Sequence, residues 1–509
     1  MIKTALISVS NKEGIVEFAR QLNKLGIKII STGNTAKLLK KNKVNVTLVS
    51  EITKFPEMLD GRLKSIHPNI FAGILADRKN KKHMNELKRL KIDTIDLVVI
   101  NFYPFEEAVK KNLKLKQLIE DIDIGGPSLV RAAAKNHENV LAVVDSNDYS
   151  EVIEKIRSRK IDVNFRAELA AKAFSCTARY DSIINGYFNQ TTNNQFPDIL
   201  NLTFRKIQNL RYGENPHQSA SFYRNVFADE SCASTAKQLQ GKELSFNNIL
   251  DIDAAFELVK DFEKPTAAVI KHTNPCGAAS AETIESAYKK AHETDPMAAF
   301  GSIVALNRNC DAKTAKLMAP LFIEVVICPK FEKSAIEILK EKKNLRLLEA
   351  GNAKKHKIGY DLKKVKGGIL LQTDNWPEIS EKNLKIVTKR KPAKEEIDAL
   401  LFAYKVNKHV KSNSIVLAKD NVTVGIGAGQ MSRVDAVKLA VMKSEGKCEG
   451  SVMSSDAFFP FRDGIDEAAK AGITAIIQPG GSIRDEEVIE TANQYNIAMV
   501  FTGVRLFRH

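Results

Sequence analysis

Cysteine is scarce in this sequence, and long apolar runs are missing. The six cysteines among 509 residues, at positions 176, 232, 276, 310, 328 and 448, never form a C-x-x-C pair. This spacing argues against a zinc ribbon and a disulfide framework and predicts free thiols. No apolar run approaches the length of a membrane span, and the first residues lead into a strand-like segment, Thr4–Val9, without a signal-peptide pattern. We therefore expect a cytoplasmic protein with no membrane partner.

Aromatic residues are also few, at 7% of the chain, whereas 77 basic residues exceed 61 acidic ones and give a formal charge of +16. Such a charge is compatible with nucleic-acid binding through phosphate contacts. The lysines, however, are spread over every segment with few aromatics between them, so neither a binding groove nor a stacking platform is visible. The charge favours anionic small molecules as partners, and we expect no nucleic acid.

The chain is long enough for two or three domains, and its 44% hydrophobic and 27% charged residues are ordinary for a globular protein. Strand-like and helix-like segments alternate over residues 1 to about 150, which is typical of a parallel sheet. Residues 150–187 read as helix, and the polar segment 190–197, which ends in proline, is the clearest linker. We therefore predict one domain over residues 1–195 and another over 200–509.

Two polar loops follow consecutive strands of the first domain. The first contains Ser10 and Lys12, and the second is Ser31-Thr32-Gly33-Asn34-Thr35. Backbone N–H groups and hydroxyls at such helix amino termini can bind phosphate, although an ordinary helix cap is an equally good interpretation. Further polar groups lie in the turn that contains Arg62 and at Asn101, which follows a buried strand.

The second domain contains a short apolar run, Ala267–Ile270, that stops at two adjacent proton-carrying side chains, Lys271 and His272. The run is too short for a helix, and the Asn-Pro and Cys-Gly pairs just after it are turn signals. We therefore predict a strand with Lys271 and His272 at its carboxyl end, where ligands of open α/β sheets collect. A lysine–histidine pair that merely ends a strand is the alternative.

The same segment lacks one thiolate of a zinc site. Pro275-Cys276 matches the start of the Pro-Cys-x-x-Cys half of a zinc nucleotide-deaminase site, but Ala279 occupies the position of the second cysteine, and no His-x-Glu lies upstream. Zinc would have too few ligands there. We therefore expect metal-free chemistry at this site.

Later segments of the second domain add a glycine-rich turn and an aromatic loop. Gly425–Gly429 allow the backbone to approach an anion closely, and Ser432 with Asp435 forms the pattern of a capping box. Ser455–Asp463 places several aromatic residues in a polar loop, which favours a flat ligand. Two strand–helix–strand runs, near 240–310 and 415–505, indicate that this domain is internally duplicated.

Three motifs make the sequence resemble one enzyme family. They are Arg211-Tyr-Gly-Glu-Asn-Pro-His-Gln218, Lys271-His-Thr-Asn-Pro-Cys-Gly-Ala-Ala279 and Ser455-Asp-Ala-Phe-Phe-Pro-Phe-Arg-Asp463. In this order they resemble the bifunctional purine-biosynthesis family that joins AICAR transformylase to IMP cyclohydrolase, and the resemblance extends from Ser8 to His509. It implies an α/β fold with a methylglyoxal-synthase-like parallel-sheet domain, whose core covers about residues 1–146. A duplicated cytidine-deaminase-like α/β domain without zinc then follows.

The resemblance also implies two consecutive reactions. The formyl group of the cosubstrate 10-formyltetrahydrofolate passes to AICAR, and formyl-AICAR then closes to IMP with loss of water. The implied partners are AICAR, formyl-AICAR, IMP and folate, in a homodimer with shared transformylase sites, and a monovalent cation is possible. Two alternatives stay open at this point: a nucleotide-sensing regulatory module without turnover, and an RNA-binding protein.

The family's functional residues carry over position by position. For the first domain, the resemblance implies catalysis by Lys64, Tyr103, Asp123 and Lys135 and substrate binding by Ser10, Lys12, Ser31, Thr32, Gly33, Thr35, Arg62 and Asn101. For the second domain, it implies catalysis by Lys271, His272 and Asn413, nucleotide binding by Arg211, Tyr212, Asn248, Phe300, Gly301, Arg433 and Arg505, and folate binding by Asp456, Ala457, Phe458 and Phe459. Asn34 departs from the family, whose loop has glycine at that position.

Overall fold

The structure, a computed structural model, describes residues 2–103, 105–111, 113–192, 194–353 and 359–509. These residues form two compact units. The first unit contains the chain up to Phe204 together with Asn225–Phe227, and the second contains Arg205–Arg224 and Ala228–His509. In the described part of the chain, no helix is both long and apolar enough to cross a membrane.

The first unit is built on a five-stranded sheet in the order β3-β2-β1-β4-β5, with every pairing parallel. The parallel sheet predicted from the alternation of strands and helices is therefore confirmed. Its strands are β1 (Thr4–Val9), β2 (Lys28–Ser31), β3 (Thr47–Leu48), β4 (Leu97–Asn101) and β5 (Leu141–Val143). Its helices are α1 (Ile15–Lys24), α2 (Gly33–Lys41), α3 (Val49–Thr53), α4 (Pro68–Leu75), α5 (Lys81–Leu90), α6 (Phe105–Lys110), α7 (Leu115–Glu120), α8 (Gly125–Lys135), α9 (Tyr149–Ser158) and α10 (Val163–Thr191).

Apolar strands explain why this sheet is covered on both faces. β4 begins with four fully buried residues, Leu97–Ile100, as expected for a central parallel strand. Because the strands are parallel, the carboxyl ends of β1, β2 and β4 lie at the same edge of the sheet. The two polar loops and Asn101 therefore meet at one edge.

The chain from Phe204 onward contains the remaining elements. Its strands are β6 (Phe204–Leu210), β7 (Ala220–Asn225), β8 (Lys237–Gln240), β9 (Thr266–Lys271), β10 (Asn274–Ser280), β11 (Ser302–Leu306), β12 (Ile323–Cys328), β13 (Arg346–Glu349), β14 (Tyr360–Val365), β15 (Gly368–Thr373), β16 (Lys385–Ile386), β17 (Ile415–Lys419), β18 (Val422–Gly427), β19 (Val452–Ser455), β20 (Ala475–Gln478) and β21 (Ala498–Phe501). Its helices are α11 (Phe246–Lys260), α12 (Ile284–His292), α13 (Ala312–Met318), α14 (Lys333–Leu339), α15 (Lys394–Asn407), α16 (Arg433–Lys443), α17 (Asp463–Lys470) and α18 (Asp485–Gln494).

The order of strands in the second unit shows the duplication. A 12-stranded sheet runs β16-β21-β20-β19-β17-β18-β10-β9-β11-β12-β13-β8. Each half contains an antiparallel hairpin, β9–β10 or β17–β18, whose first strand pairs antiparallel with the next strand in sequence, and two parallel pairings follow. The halves meet where β10 pairs with β18. They cover residues 237–349 and 385–501, which is wider than the two runs that the sequence indicated.

Two glycines mark equivalent positions in the halves. A side chain at Gly277 on β10 would collide with the backbone oxygen of Ala291 on α12, and one at Gly425 on β18 would collide with that of Ala440 on α16. Each hairpin therefore has a position at which only glycine lets the following helix pack directly on the strand.

The structure differs from the sequence prediction just after His272. The Asn-Pro-Cys-Gly segment is not a turn but the first part of β10, and the turn consists of His272 and Thr273 alone. The pairing of β10 with β9 is irregular between Pro275 and Gly277, and a proline is tolerated in a strand at such an irregularity because no ladder hydrogen bond is needed from it. β9 is antiparallel to both neighbours, so the Lys271–His272 end is not the edge of a parallel sheet.

The helical region at the end of the first unit is also divided differently from the sequence prediction. α9 ends at Ser158, and α10 starts anew at Val163, where the Asp162 carboxylate caps it by accepting a hydrogen bond from Phe165 N at 2.8 Å. Because α10 continues to Thr191, the first residues of the predicted linker are helical. Asn193, in the middle of that linker, lies outside the described residues.

Candidate active sites

Two lysines meet above the carboxyl ends of β1 and β2 in the first unit. Lys12 Nζ donates to Val9 O and, at 2.9 Å, to Thr35 Oγ1, and Lys64 Nζ lies beside Gly33, 3.7 Å from where a Cβ would be. Burial lowers the pKa of the Lys12 ammonium, and the positive charge of Lys64 lowers it further. Two cations this close favour an anionic ligand between them.

The surrounding polar side chains shape the two loops. Ser10 N and Asn11 N both donate to Asn101 Oδ1, at 2.6 and 2.9 Å, and Ser31 Oγ donates to Ile7 O at 2.6 Å. Thr32 is the residue before α2 but makes no capping hydrogen bond with its side chain. The amino terminus of α2 therefore keeps N–H groups available for an anion next to the two lysines.

Asp123 lies at the start of α8, close to the turn that carries Lys64. Its Oδ1 accepts a hydrogen bond from Gly126 N at 2.8 Å, and its own N–H donates to Tyr180 Oη at 2.7 Å. A Cβ at Gly125 would lie 3.1 Å from Ser65 Oγ, so the start of α8 packs against the Lys64–Ser65 turn. Tyr103, two residues after β4, is 45% exposed.

Within one chain, Lys135 lies apart from this site, and Arg62, in the turn that carries Lys64, is engaged in an ion pair. Lys135 is the last residue of α8 and is exposed, and ten residues of helix, roughly 15 Å, separate it from Gly125. Arg62 is engaged by the carboxylate of Glu120, to which it donates from Nε at 3.1 Å and from Nη2. The structure thus brings Lys12, Lys64 and Asp123 to one edge, while Lys135 lies at the other end of its helix.

In the second unit, Lys271 and His272 line a pocket of about 210 Å³ between β10, β18 and the loop after α12. Lys271 Nζ donates to Phe300 O at 2.9 Å, whereas His272 is exposed. Cys276 also lines the pocket, and burial, followed by the charge of Asp295, raises the pKa of its thiol to about 12. The thiol is therefore protonated at neutral pH. The pocket wall also carries the imidazole of His272, a type of side chain that often transfers protons in catalysis.

Asn413 is held rigidly near this pocket. Its Oδ1 accepts from Arg433 Nη2 at 2.7 Å, and its Nδ2 donates to Gln430 O at 2.9 Å. Arg433 in turn donates from Nη1 to Asp456 Oδ1 at 2.5 Å and to Ser455 Oγ at 2.8 Å. One buried guanidinium thus fixes the Asn413 loop against the end of β19.

Asn274 joins the Asn413 loop to the His272 turn. Its Oδ1 accepts from Lys411 N at 3.0 Å, and its Nδ2 donates to His272 O at 3.1 Å. The structure therefore brings Lys271, His272 and Asn413 together through direct hydrogen bonds between their loops.

Several other assigned residues are engaged inside the protein. Asp456, Ala457 and Phe459 are at most 3% exposed, so Phe458 is the member of this group that reaches the surface. Asn248 is buried and closes the capping box of α11, because its Oδ1 accepts from Ser245 N at 3.2 Å. These buried side chains hold the loops and the helix start around the site in place.

The remaining assigned residues are exposed or half-buried, and among them Phe300 contacts the Lys271 pair, through its backbone oxygen. Phe300 is 65% exposed and precedes Gly301, which has a left-handed φ of 70°. Arg211 stacks over the ring of Tyr212 at 4.8 Å, and Arg505 lies 4.4 Å from the ring of Phe507. In the described part of the chain, no hydrogen bond or ion pair joins Arg211 or Tyr212 to Lys271, His272 or Asn413.

Comparisons with known proteins identify the family of this chain. The family model described as "AICARFT/IMPCHase bienzyme" matches residues 133–443, and the model "MGS-like domain" matches residues 14–128. The chain belongs to the AICARFT/IMPCHase bienzyme family. The match to the MGS-like model ends within α8, and the bienzyme match starts within the same helix.

Relatives in this bienzyme family match over the whole length. Proteins named "Bifunctional purine biosynthesis protein PurH" are 52% identical in Acetivibrio thermocellus, 53% in Thermoanaerobacter sp. and 51% in Caldicellulosiruptor saccharolyticus, each over 100% of both chains. A solved structure titled "Crystal structure of ForH" is 30% identical and covers 37% of this chain and 97% of its own, with a TM-score of 0.34. The family assignment therefore rests on the bienzyme model and on the full-length relatives.

Asp251 and Asn274 hold the turns and loops of the second candidate site, and the sequence analysis did not assign either of them to it. The Asp251 carboxylate accepts hydrogen bonds from the N–H groups of Thr273 and His272, at 2.6 and 3.3 Å. Asp251 lies 21 residues before His272 in sequence, within an ordinary helix, so the sequence carries no signal of this contact. In the sequence, the Asn-Pro pair predicts a turn, and only the place of Asn274 in β10 shows that it bridges two loops.

The buried Arg433–Asp456 pair predicts a large effect of substitution on stability. Arg433→Met should leave the wholly buried Asp456 carboxylate without its cation, which costs about 3–5 kcal/mol for a buried pair. We expect denaturant unfolding of the second unit, followed by the fluorescence of Trp376, the single tryptophan, to shift accordingly. Arg484→Met is the control, because Arg484 pairs with Glu487 at the surface and should change stability by less than about 1 kcal/mol. Equal shifts of the unfolding transition in Arg433→Met and Arg484→Met would contradict the stabilising role of the buried Arg433–Asp456 pair.

Proposed function

We propose that the two units divide the two activities of the family between them. The chain is a bifunctional enzyme of purine biosynthesis, with phosphoribosylaminoimidazolecarboxamide formyltransferase and IMP cyclohydrolase activities. It transfers the formyl group of 10-formyltetrahydrofolate to AICAR and closes formyl-AICAR to IMP. The observation that carries the division is that each unit has its own cluster, the Lys12–Lys64 pair in one and the Lys271–His272–Asn413 group in the other. The relatives give no support to a regulatory module without turnover.

Formyl transfer belongs to the second unit in this proposal. The amine of AICAR attacks the formyl carbon, its proton passes to His272, and the folate nitrogen leaves and is protonated. Asn413 donates to the formyl oxygen or to the leaving nitrogen, and Lys271 contributes positive charge where the oxyanion develops. The hydrogen bonds through Asn274 support this assignment because they fix the His272 and Asn413 loops relative to each other.

The nucleotide and folate contacts follow the same assignment. The nucleotide is bound by surface groups, which include two guanidinium groups for its phosphate. These groups are Phe300, Gly301, Arg211, Tyr212 and Arg505. Arg433 and Asn248 are buried, so their part is to hold the surrounding loops. Phe458 offers an aromatic surface to the folate, and Asp456, Ala457 and Phe459 support it from below.

Ring closure belongs to the first unit. The carboxamide nitrogen of formyl-AICAR must be held close to the formyl carbon, and water then leaves. The phosphate loops are formed or lined by Ser10, Lys12, Ser31, Thr32, Gly33, Thr35, Arg62 and Asn101. Lys64 opposes the developing negative charge, and Tyr103 and Asp123 move protons. The catalytic assignment of Lys135 has the least structural support within one chain, because this residue lies at the far end of α8 from the other members of the site.

The boundaries of the catalytic domains are part of the proposal. Residues 1–195 form the cyclohydrolase, with a methylglyoxal-synthase-like core over about 1–146, and residues 200–509 form the transformylase, in two deaminase-like halves. The division into compact units near Phe204 supports these limits. A cytoplasmic location suits a biosynthetic enzyme of this kind.

Reciprocal substitutions test the two-site model. Lys64→Ala should stop closure of formyl-AICAR while formyl transfer continues, because Lys64 lies in the first unit. His272→Ala should lower formyl transfer by roughly two to four decades, the scale of a positioned acid–base group, and leave closure intact. Ultraviolet assays of each half-reaction with purified protein measure both. Equal loss of both activities in Lys64→Ala would contradict the division.

We further propose a homodimer in which Arg211 and Tyr212 complete the partner's transformylase site. The support is that these residues lie in an exposed loop with no hydrogen bond to the Lys271 group in the described chain. A two-fold interface would then create two composite pockets.

Mixing two inactive variants tests the shared pocket. In Arg211→Ala/Lys271→Ala mixed dimers, one pocket carries both defects and the other carries neither. When half of the dimers are mixed, about a quarter of wild-type transfer should return. The control is each variant incubated alone. Subunit exchange is first demonstrated with labelled subunits. If transfer activity then does not return, each chain completes its own site and the shared pocket is contradicted.

A monovalent cation near Asp456 is the last part of the proposal. Asp456 is fully buried, and although its Oδ1 accepts from Arg433, its Oδ2 has no hydrogen-bond partner among the described residues. A buried carboxylate oxygen without a donor fits a cation ligand. The cation would keep the end of β19 and the Asn413 loop in place.

Replacing potassium by choline should therefore weaken the second unit alone. We expect slower formyl transfer, unchanged ring closure and a lower unfolding midpoint of the Trp376 signal, all reversed by adding potassium. The two readouts are independent, because unfolding is measured without substrate. An unfolding midpoint and a transfer rate that are both insensitive to the cation would contradict the site.

A further inference from the structure

The turn that carries His272 has an unfavourable backbone conformation. β9 and β10 are joined by two residues, His272 and Thr273, whose φ angles are 52° and 62°. Two-residue hairpins commonly need positive φ at both positions, which asparagine, aspartate and glycine adopt most readily. Threonine is β-branched and is rarely found there, so the turn contains a residue poorly suited to it.

The carboxylate of Asp251 compensates for this conformation. Asp251 lies on α11, half-buried, and its two oxygens accept hydrogen bonds from both turn residues, from Thr273 N at 2.6 Å and from His272 N at 3.3 Å. These are charge-assisted bonds to the two N–H groups that the left-handed turn turns toward the helix. Strained local conformations persist where surrounding contacts hold them in this way.

The duplicated half provides an internal comparison. Its hairpin also has a two-residue turn, Asp420 and Asn421, with φ angles of 51° and 59°. The lysine before each turn makes the same contact, since Lys419 Nζ donates to Glu449 O at 3.3 Å as Lys271 Nζ donates to Phe300 O at 2.9 Å. Both acceptor residues precede a glycine with left-handed φ, Gly450 or Gly301.

The carboxylate clamp is the feature that the second half does not repeat. Among the described residues, no side chain accepts a hydrogen bond from the N–H of Asp420 or Asn421, and α15 makes no hydrogen bond to that turn. Aspartate and asparagine adopt the left-handed conformation readily. The hairpin therefore does not require a clamp for its fold, and the clamp appears only in the copy whose turn carries His272.

We propose that Asp251 is a positioning residue for formyl transfer, which acts by holding the His272–Thr273 turn so that the imidazole faces the reacting amine. This inference rests on the proposed role of His272. Asp251 itself touches neither substrate nor folate in the proposal. It is separate from the lysine contact, which both halves share and which we assign to the fold.

Removal of the carboxylate should affect turnover more than binding. We expect Asp251→Ala to lower kcat for formyl transfer by roughly 10- to 100-fold, because a displacement of about 1 Å in a catalytic group has effects of this size. KM for AICAR should change by less than about threefold, since bound substrate does not contact Asp251. Asp251→Asn keeps the shape and one acceptor, so a smaller loss is expected and folding is preserved.

A double-mutant cycle distinguishes positioning from a general structural role. If Asp251 acts through His272, Asp251→Ala should cause no further loss of kcat in a His272→Ala background. Thr273→Asn in the Asp251→Ala protein should return part of the lost rate, because asparagine tolerates the turn without the clamp. Ring closure by the first unit and the unfolding midpoint of the Trp376 signal report on integrity.

The matched control is Asp398→Ala, which removes an exposed carboxylate on α15, the equivalent helix of the other half, where Asp398 pairs with Lys394. Its transfer rate should equal that of the wild type. Wild-type kcat in Asp251→Ala, or an equal loss with and without His272, would overturn the inference while leaving the role of His272 intact. Near-normal turnover in His272→Ala alone would instead remove the proposed acid–base group, and the inference would fall with it.

Discussion

The buried guanidinium of Arg433 is the interaction on which the second site depends. It binds the side chain of Asn413, the hydroxyl of Ser455 and the carboxylate of Asp456 at once, so that α16, the end of β19 and the Asn413 loop are fixed as one group. Asn274 then connects the Asn413 loop to the His272 turn through two hydrogen bonds. A positive charge that is 8% exposed is costly to bury, and it is stable here because its donors are satisfied by a paired carboxylate and neutral oxygens.

Much of the fold could be predicted from the sequence, because the signals involved are local. Alternating apolar strands and amphipathic helices predict the parallel sheet of the first unit, and Leu97–Ile100 is buried as its composition indicates. The Asn-Pro-Cys-Gly segment misled the prediction because proline and glycine usually end strands. In β10, the irregularity near Pro275 and the close packing of Gly277 on α12 remove both objections.

The sites could be predicted only in part. The three motifs identify the family, and they contain Lys271, His272 and the segment around Asp456. They do not show that Asp456 and Phe459 are buried while Phe458 is only half-buried, because burial of a polar residue depends on a partner, Arg433, more than twenty residues away. Lys135 illustrates the same limit, since a motif gives a residue's identity but not the end of the helix on which it lies.

The thiol in the wall of the second pocket has a consequence for the chemical resistance of the enzyme. Burial raises the pKa of the Cys276 thiol to about 12, so the thiol is almost entirely un-ionised at pH 7, and thiolates are the form that peroxides and alkylating reagents attack. A sulfur atom can therefore line the pocket beside His272 without exposing the site to oxidation. Inactivation by peroxide should begin elsewhere, and the pocket should keep its shape under oxidative stress.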